Sequence, residues 1–190
     1  MNIGFCFCGS FCTYSGVFPV LERLSQEHRV IPIFSEASAS VDSRFGNARD
    51  FLARAEHVCG TKPLTTLEEV EPIGPKKLLD LLVIAPCTGN TLAKLANSIA
   101  DGPVTMAAKS HLRNARPVLL AVSTNDALAG AAENIGKLLG RKHYYFVPFR
   151  QDSWEKKPTS MVADFSLIPS AVEAALEERQ IQPVLLAGNP

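Results

Sequence analysis

Residues 81–101, LLVIAPCTGNTLAKLANSIAD, carry the pattern from which the fold of this chain is predicted. The apolar run Leu81–Ala85 is typical of a fully buried parallel strand, and Pro86 predicts the end of that strand. A short polar loop, Cys87–Thr91, comes next. Apolar residues then recur at helical spacing: Leu92, Leu95, Ala96 and Ile99. The stretch therefore predicts a buried strand, a tight polar loop and a helix.

The polar loop places hydroxyl groups and unpaired helix N–H groups at the carboxyl end of a buried strand. Such a position suits a phosphate or a carboxylate, because free donors and the positive end of the helix dipole meet there. An ordinary strand-to-helix connection, with Thr88 or Asn90 as the helix cap, explains the same residues. Spacing alone does not separate these two interpretations.

Composition predicts a globular chain with one domain spanning residues 1–190. The formal net charge is zero, which argues against a nucleic-acid partner. No apolar run has the length of a membrane span, and the N-terminus lacks the basic segment of a signal peptide. The odd number of cysteines, five, then favours reduced thiols in a cytoplasm.

The N-terminal segment predicts a βαβ unit, with strands at Asn2–Cys8 and Arg29–Phe34 and a helix at Gly16–Glu27. The loop after the first strand contains Gly9, but the other two glycines of a dinucleotide fingerprint and the Gly-Lys of a Walker loop are missing. The unit therefore resembles a nucleotide-binding start without either motif.

The remaining chain continues the alternation of strands and helices. Further helices are predicted at 44–57, 103–113, 127–139 and 168–180, and further strands at 59–64, 117–122, 144–149 and 184–187. Residues 150–160 are predicted to be irregular, and a segment of that length commonly forms a lid or a contact surface. The pattern predicts an α/β fold with a doubly wound parallel sheet, a flavodoxin- or Rossmann-like three-layer sandwich.

Four polar loops follow predicted strands: Gly9–Thr13, Ser35–Glu36, Cys87–Thr91 and Ser123–Asp126. Ligands of doubly wound sheets bind at the carboxyl ends of the strands, near the point where the strand order reverses. The four loops are therefore expected to converge on one ligand site.

These loops, in this order, resemble the flavoprotein family that includes cysteine-decarboxylating enzymes with bound FMN. The family's Gly-Ser loop is matched by Gly9-Ser10, and its Pro-Ala-Ser-Ala-Asn-Thr loop by Pro86–Thr91. Its Pro-x-Met-Asn loop is matched only at Asn125. The Lys-x-Ala-x-Gly-Ile-x-Asp continuation is matched, with Ser98 in place of Gly, by Lys94, Ala96, Ile99 and Asp101.

The loops and the resemblance together imply a site for FMN or another anionic ligand. The residues expected to hold it are Gly9, Ser10, Thr13, Ser35, Thr88, Gly89, Asn90 and Thr91. Asn125 corresponds to the family's substrate-contacting Asn, although a cap for the helix predicted from Ala127 explains it equally well. The family usually forms trimers or larger shells, so a homo-oligomer is expected.

Two departures from the family pattern concern chemistry. In the decarboxylating relatives a catalytic His lies eight residues before the Asp that precedes the strand at Leu81–Ala85, and counting back from Asp80 gives Pro72. Proline neither accepts nor donates a catalytic proton, so thiol-peptide decarboxylation is not expected. Phe11 and Cys12 also stand where relatives often have small residues. No catalytic residue is assigned, and a retained fold with an altered site is an open alternative.

A narrower resemblance is found at residues 85–97, 107–114, 123–130 and 144–158. It points to one subunit of a two-subunit oxidoreductase of spore-forming bacteria. It implies a partner subunit that binds NAD(P), a location in the mother-cell cytoplasm, and the formation of pyridine-2,6-dicarboxylate from its dihydro precursor. Two alternatives stay open: a non-catalytic binding or assembly subunit with a vestigial flavin site, and an independent flavin-dependent decarboxylase.

Several reactive or charged residues have simpler explanations. Cys6 and Cys8 alternate within one strand and are expected to be small core residues, so no metal site is predicted. Cys87 either has a lowered pKa at a helix N-terminus or fills a tight turn. His111 is expected at a surface or a contact. Candidate cations for a dicarboxylate, each equally explained as a solvated charge, are Lys109, Arg113, Arg150, Lys156 and Lys157.

Overall fold

The computed structural model describes residues 1–188, which form a seven-stranded mixed sheet packed with helices. The strands are β1 Asn2–Phe7, β2 Arg29–Phe34, β3 Leu81–Cys87, β4 Val118–Thr124, β5 Tyr144–Phe146, β6 Phe149–Ser153 and β7 Lys157–Ala163. The helices are α1 Tyr14–Glu27, α2 Glu36–Ser40, α3 Ala48–Cys59, α4 Leu67–Val70, α5 Gly89–Ala96, α6 Pro103–Leu112, α7 Ala132–Leu139 and α8 Ile168–Leu176. The predicted flavodoxin-like α/β fold is confirmed.

Five parallel strands form the main part of the sheet in the order β2-β1-β3-β4-β5. The chain runs from β1 to β2 on one side and then returns to β3 on the other side. Cys6 of β1 is thus paired with Ile33 of β2 and with Ile84 of β3. This reversal of strand order between β1 and β3 is the place where such sheets bind ligands.

The core is centred on β1, β3 and β4, the parallel strands that have a neighbouring strand on each side. Every residue of β3 is buried, as expected for a parallel strand covered on both faces. The Phe7 ring stacks on Phe34 of β2, with ring centroids 4.6 Å apart. Gly4 allows the side chains of Leu79 and Leu82 to pack directly on the backbone of β1. A Cβ built at Gly4 would lie 2.5 Å from Leu79 Cδ1 and 2.6 Å from Leu82 Cδ1.

The prediction that residues 150–160 are irregular is wrong, because they belong to a β-hairpin, β6–β7. β7 is antiparallel to the end of β4, with Ser123 opposite Val162 and Thr124 opposite Met161. The segment contains no alternation of apolar residues that would indicate strands. Pairing with the free end of β4, beyond the short β5, is a tertiary contact that this local sequence does not encode.

Several predicted boundaries shift. Pro86 does not end β3, which continues to Cys87 through a cis Ala85–Pro86 peptide bond and a shift in register toward β4. The helix predicted from Ala127 begins only at Ala132, because the Ala129 and Ala131 N–H groups bond the Asp126 carbonyl in a turn.

Other predicted elements are shorter than expected. The helix predicted at 44–57 begins at Ala48, and the helix predicted at 168–180 ends at Leu176. The strand predicted at 144–149 ends at Phe146. The strands predicted at 59–64 and 184–187 are reduced to single bridges, Ile33–Leu64 and Phe149–Leu185. Leu64 bonds the backbone of Pro32 and Phe34 in β2, and Val184 and Leu186 bond the backbone of Phe149 in β6, so each segment pairs with an edge strand over a single residue pair.

The expectation for His111 is also wrong, because its side chain is only 1% exposed. Its Nε2 lies 3.1 Å from the Pro117 carbonyl oxygen, so the neutral ring donates a hydrogen bond there. Burial lowers the pKa of His111 to about 4. A membrane-spanning helix would need to be longer and more apolar than any helix within residues 1–188.

Candidate functional site

Two adjoining cavities open at the carboxyl edge of the parallel strands, beside the switch point between β1 and β3. The β2-side cavity has a volume of ≈ 350 Å³ and reaches the ends of β1, β2 and β3. The hairpin-side cavity, ≈ 530 Å³, lies between the first loop, the end of β4 and the β6–β7 hairpin. Gly9 and Thr88 line both cavities, so the two form a continuous trough.

Two helix N-termini meet at the β2-side cavity. Thr88 is the N-cap of α5, and its Oγ1 accepts a hydrogen bond from the Thr91 N–H at 3.3 Å. Residues 102–105, at the start of α6, form another part of the same wall. Because the positive ends of two helix dipoles converge there, this cavity favours an anionic group.

The charged groups of the β2-side cavity are nearly balanced. The Lys94 ammonium lies 2.9 Å from a carboxylate oxygen of Asp101, and the hydrogen bond from Lys94 lowers the pKa of that carboxyl. Glu36 is exposed at the rim. An anion in this cavity would therefore be held mainly by hydroxyl and N–H donors rather than by an unpaired cation.

The first loop is connected to the end of β4 by side-chain hydrogen bonding. Ser10 Oγ lies 2.8 Å from Ser123 Oγ. Thr13 Oγ1 donates to the Ser10 carbonyl at 2.8 Å, which holds the loop in a turn. Loops that are distant in sequence therefore form one wall of the hairpin-side cavity.

Asn125 lies on the opposite wall of that cavity, where the hairpin meets β4. Its carbonyl accepts from Thr159 Oγ1 at 2.6 Å, and its side-chain Oδ1 accepts from Ser160 Oγ at 3.4 Å. Since α7 begins at Ala132 with Ala131 as its N-cap, Asn125 does not cap that helix. Asn125 lines the cavity, and its side-chain N–H groups are chemically able to donate to a ligand.

The trough brings together most residues predicted for ligand binding. Those lining one or both cavities are Gly9, Ser10, Thr13, Ser35, Thr88, Asn90, Thr91 and Asn125. Gly89 does not line the trough, because it packs against the β4 exit. A Cβ at Gly89 would lie 2.7 Å from Thr124 Oγ1 and 2.8 Å from Asp126 Oδ1. Close packing, rather than ligand contact, explains a glycine at this position.

Two buried thiols next to the trough, those of Cys8 and Cys87, have raised pKa values and are protonated at neutral pH. Cys8 lines the β2-side cavity, and burial raises its pKa to about 11, while Thr91 Oγ1 donates to its sulfur at 3.3 Å. Burial also raises the pKa of Cys87, so the thiol pKa is not lowered, and Cys87 is a small buried residue at the end of β3 rather than part of a turn. Within residues 1–188, no three His, Cys, Asp or Glu side chains are placed to hold a metal ion.

Of the candidate cations, Lys157 lines the trough, and it is 2.6 Å from the Asp152 carboxylate across the hairpin. Arg150 bonds Asp164 at 2.6 Å, and Lys109 lies in a different cavity.

Sequence patterns did not identify Phe45 or the start of α6 as walls of the site. The sequence signal that could have identified α6 is the break at residues 101–103, because it predicts a helix that starts at this edge of the sheet.

The described residues that line the trough include the carboxylates of Glu36 and Asp152 but no His. Pro72, at the position of the relatives' catalytic His, lies in the turn Glu71–Ile73 and lines neither cavity. The described part of the site therefore has the donors to bind an anion, and a general acid or base there would have to be a carboxylate such as Glu36 or Asp152 rather than a His.

The strand order and the position of the trough define a flavodoxin-like α/β protein with a cavity at its switch point whose lining suits an anionic ligand. The chain belongs to the Flavoprotein family, whose model matches residues 1–149.

Two similar proteins share a name. The B subunit of dipicolinate synthase from Bacillus subtilis (strain 168) is 45% identical over 186 residues, covering 97% of this chain and 93% of that protein. The crystal structure of the B subunit of dipicolinate synthase from Bacillus halodurans C superposes with a TM-score of 0.90 at 40% identity, covering 99% of this chain and 97% of that one.

A more distant solved structure shares the fold. The FMN-dependent cysteine decarboxylase SpaF has a TM-score of 0.65 at 24% identity, covering 94% of this chain and 96% of its own. The fold is thus shared between relatives named as synthase subunits and relatives named as flavin-dependent decarboxylases.

Proposed function

We propose that this chain is the B subunit of a dipicolinate synthase, acting with an A subunit that binds NAD(P). Together they would form pyridine-2,6-dicarboxylate from its dihydro precursor. The observation that carries the proposal is the 45% identity over 97% of the chain to the B subunit of dipicolinate synthase. Segments 85–97, 123–130 and 144–158, which carry the narrower resemblance, also contribute walls of the trough.

The residues of the trough fit FMN by their chemistry. Hydroxyl and N–H donors at two helix N-termini suit a phosphate, and Asn90 is exposed on that wall and free to donate. The adjoining hairpin-side cavity offers further space with a mixed polar and apolar lining. When bound, FMN supplies a two-electron acceptor.

The dihydropyridine becomes aromatic by transferring a hydride to an acceptor and releasing a proton to solvent. That acceptor is either a flavin in this trough or the NAD(P) of the partner subunit. In both cases this chain binds and orients the dicarboxylate, with the Asn125 amide as a hydrogen-bond donor to a carboxylate. Lys157 would exchange its Asp152 contact for a substrate carboxylate.

A second candidate function, a non-catalytic binding or assembly subunit, is favoured by one observation. No described residue of the trough is a His, and Pro72 lies away from it. The same observation disfavours an independent flavin-dependent decarboxylase.

An assay of each purified chain alone and of their mixture tests the proposal, with dihydrodipicolinate and NAD(P)⁺ supplied. Dipicolinate formation only in the mixture supports a shared enzyme. Turnover by this chain alone would rule out the assembly role, and a mixture no faster than the A subunit alone would rule out the proposed role.

Titration of this chain with FMN, followed by quenching of flavin fluorescence, separates the two acceptors. Saturable binding at micromolar concentration or tighter, about 8 kcal/mol or more, places a flavin in reach of the substrate. Absence of binding assigns the redox step to the partner's NAD(P) and leaves the trough to the dicarboxylate.

A further inference from the structure

A third cavity, of ≈ 200 Å³, lies between the end of α5, the outer face of α6 and the start of β5. We call it the α5–α6 cavity. Its lining includes Leu95, Ile99, Lys109, Leu112, Arg141 and Tyr144. It shares Thr105 with the β2-side cavity and no described residue with the hairpin-side cavity. The function proposed above makes no use of it.

One part of the α5–α6 cavity is apolar. Leu95 is buried at its base, Leu112 is half-buried, and Ile99 is 47% exposed. An apolar side chain of this size that stays half in water gains free energy when a ligand covers it. The cavity therefore favours a ligand with an apolar body of about ring size.

The rim of the cavity carries two positive charges without an acid beside them in the described chain. No Asp or Glu is among the described lining residues. The Lys109 ammonium has no hydrogen-bond or ion-pair partner within residues 1–188. The Arg141 guanidinium donates to the Leu95 and Ala96 carbonyls, at 3.0 and 2.7 Å, and these groups carry no formal charge.

This arrangement differs from that of the two strand-end cavities. Each described lysine that lines those cavities has an aspartate partner, Lys94 with Asp101 and Lys157 with Asp152. Tyr144 does not neutralise the α5–α6 cavity either, because burial raises its pKa to about 12 and keeps the hydroxyl protonated. The local charge is thus positive across the physiological pH range.

We propose that the α5–α6 cavity binds a small carboxylate with an apolar ring, whose carboxylate contacts Lys109 and Arg141 and whose ring covers Ile99. Such a ligand supplies the missing negative charge and buries the exposed apolar surface together. The proposal goes beyond the proposed function and does not depend on it, because it uses neither the trough nor a flavin.

The test uses 4-fluorobenzoate as a probe, with ¹⁹F NMR line broadening as the readout on the full-length chain. Saturable broadening is expected, and the uncharged 4-fluorobenzamide should bind at least about tenfold more weakly, because it cannot pair with either cation. Lys109→Met should weaken binding of the benzoate by about tenfold, since a charged hydrogen bond is lost.

Three variants locate the bound probe. Lys142→Met removes an exposed lysine that does not line the cavity and should leave the affinity unchanged. Asn125→Ala changes the part of the trough proposed above for a carboxylate and should also leave the affinity for 4-fluorobenzoate unchanged. Ile99→Asp, at a position already exposed, places an acid beside the two cations and should abolish binding.

Absence of saturable broadening would overturn the proposal. Equal affinities of Lys109→Met and the unmodified chain for 4-fluorobenzoate would also overturn it. Binding that is lost in Asn125→Ala but kept in Lys109→Met would assign the carboxylate to the trough instead. None of these results bears on dipicolinate formation, so failure here is distinguishable from failure of the proposed function.

Discussion

At the scale of single residues, the polar groups of the trough divide into those that hold the fold and those free for a ligand. Thr88 caps α5 and also lines both cavities. Thr91 is buried, with its hydroxyl bonded to Cys8 and near Thr88. The capping and binding interpretations of this loop are therefore compatible, and a clean test needs a residue without a structural role.

Asn90 is such a residue, because it is exposed on the wall of the β2-side cavity. We expect Asn90→Ala to lower FMN affinity about three- to tenfold, the effect of losing one neutral hydrogen bond. The melting temperature should stay unchanged. Flavin titration and thermal unfolding of the same samples measure both quantities.

Asn134→Ala is the matched control, since Asn134 lies on α7 and lines neither cavity. Equal FMN affinities of Asn90→Ala, Asn134→Ala and the unmodified chain would show that the α5 loop does not contact the ligand.

His111 predicts a specific dependence of stability on pH. Its pKa in the folded protein, about 4, lies below its ordinary value of 6.5, so folding favours the neutral ring. The contribution of neutral His111 to the free energy of unfolding is complete above about pH 6.5. It is lost as the pH falls toward 4, because the His111 ring then binds a proton more readily in the unfolded chain than in the folded one.

We therefore expect His111→Gln, which keeps an amide donor for the Pro117 carbonyl but does not titrate, to remove this dependence. Between pH 6.5 and 5 the unmodified chain should lose about 2 kcal/mol of unfolding free energy relative to the variant. Urea unfolding at several pH values measures the difference. Parallel pH profiles of the two proteins would contradict the assignment.

At the scale of elements, two glycines show that a central strand and a surface helix differ in the space they leave for a side chain. Gly4 lies in β1, where an added Cβ would meet Leu79 and Leu82. Gly136 lies inside α7, where an added Cβ meets nothing within 4 Å in the described chain. The same substitution is therefore expected to have opposite effects at the two positions.

Gly4→Ala should destabilise the fold by about 1–3 kcal/mol, the usual effect of overpacking a close-packed core. Gly136→Ala should stabilise it by about 0.5–1 kcal/mol, since alanine loses less backbone entropy in a helix. Urea unfolding measures both. If Gly4→Ala were as stable as Gly136→Ala, the close packing of β1 against β3 would be refuted.

The β6–β7 hairpin is the element that most changes the site. It extends the sheet beyond the end of β4 and supplies Asp152, Lys157 and Ser160 to the hairpin-side cavity. Lys157 and Asp152 are partly exposed, so their ion pair contributes at most about 1 kcal/mol to stability. A weak pair of this kind can be exchanged for a ligand carboxylate at little cost to the fold.

At the scale of the whole molecule, the chain is expected to associate with itself, as its resemblance to the flavoprotein family implies. We predict a trimer or a larger closed assembly in light scattering at micromolar concentration. Exposed apolar side chains on several elements, such as Phe45, Leu128 and Trp154, are available for such contacts. A constant monomer mass over a wide concentration range would contradict this prediction.

The parallel core of the sheet and the polar loops at its carboxyl edge could be predicted from the amino-acid sequence alone. Buried strands such as β3 appear as unbroken apolar runs, and β1, β2 and β4 lie nearly where they are predicted. The loops that follow these strands could be predicted to converge, because parallel strands all end at one edge. Most predicted ligand residues therefore line the trough.

Other features depend on contacts between segments that are distant in sequence, and these appear only in the folded chain. The β6–β7 hairpin pairs with β4, His111 is buried against Pro117, and Gly89 packs under Thr124. Local sequence patterns report which face of an element is apolar, but not which partner covers it. The hairpin-side wall of the trough, formed by β6–β7, and the α5–α6 cavity exist because of such contacts, so tertiary packing defines them.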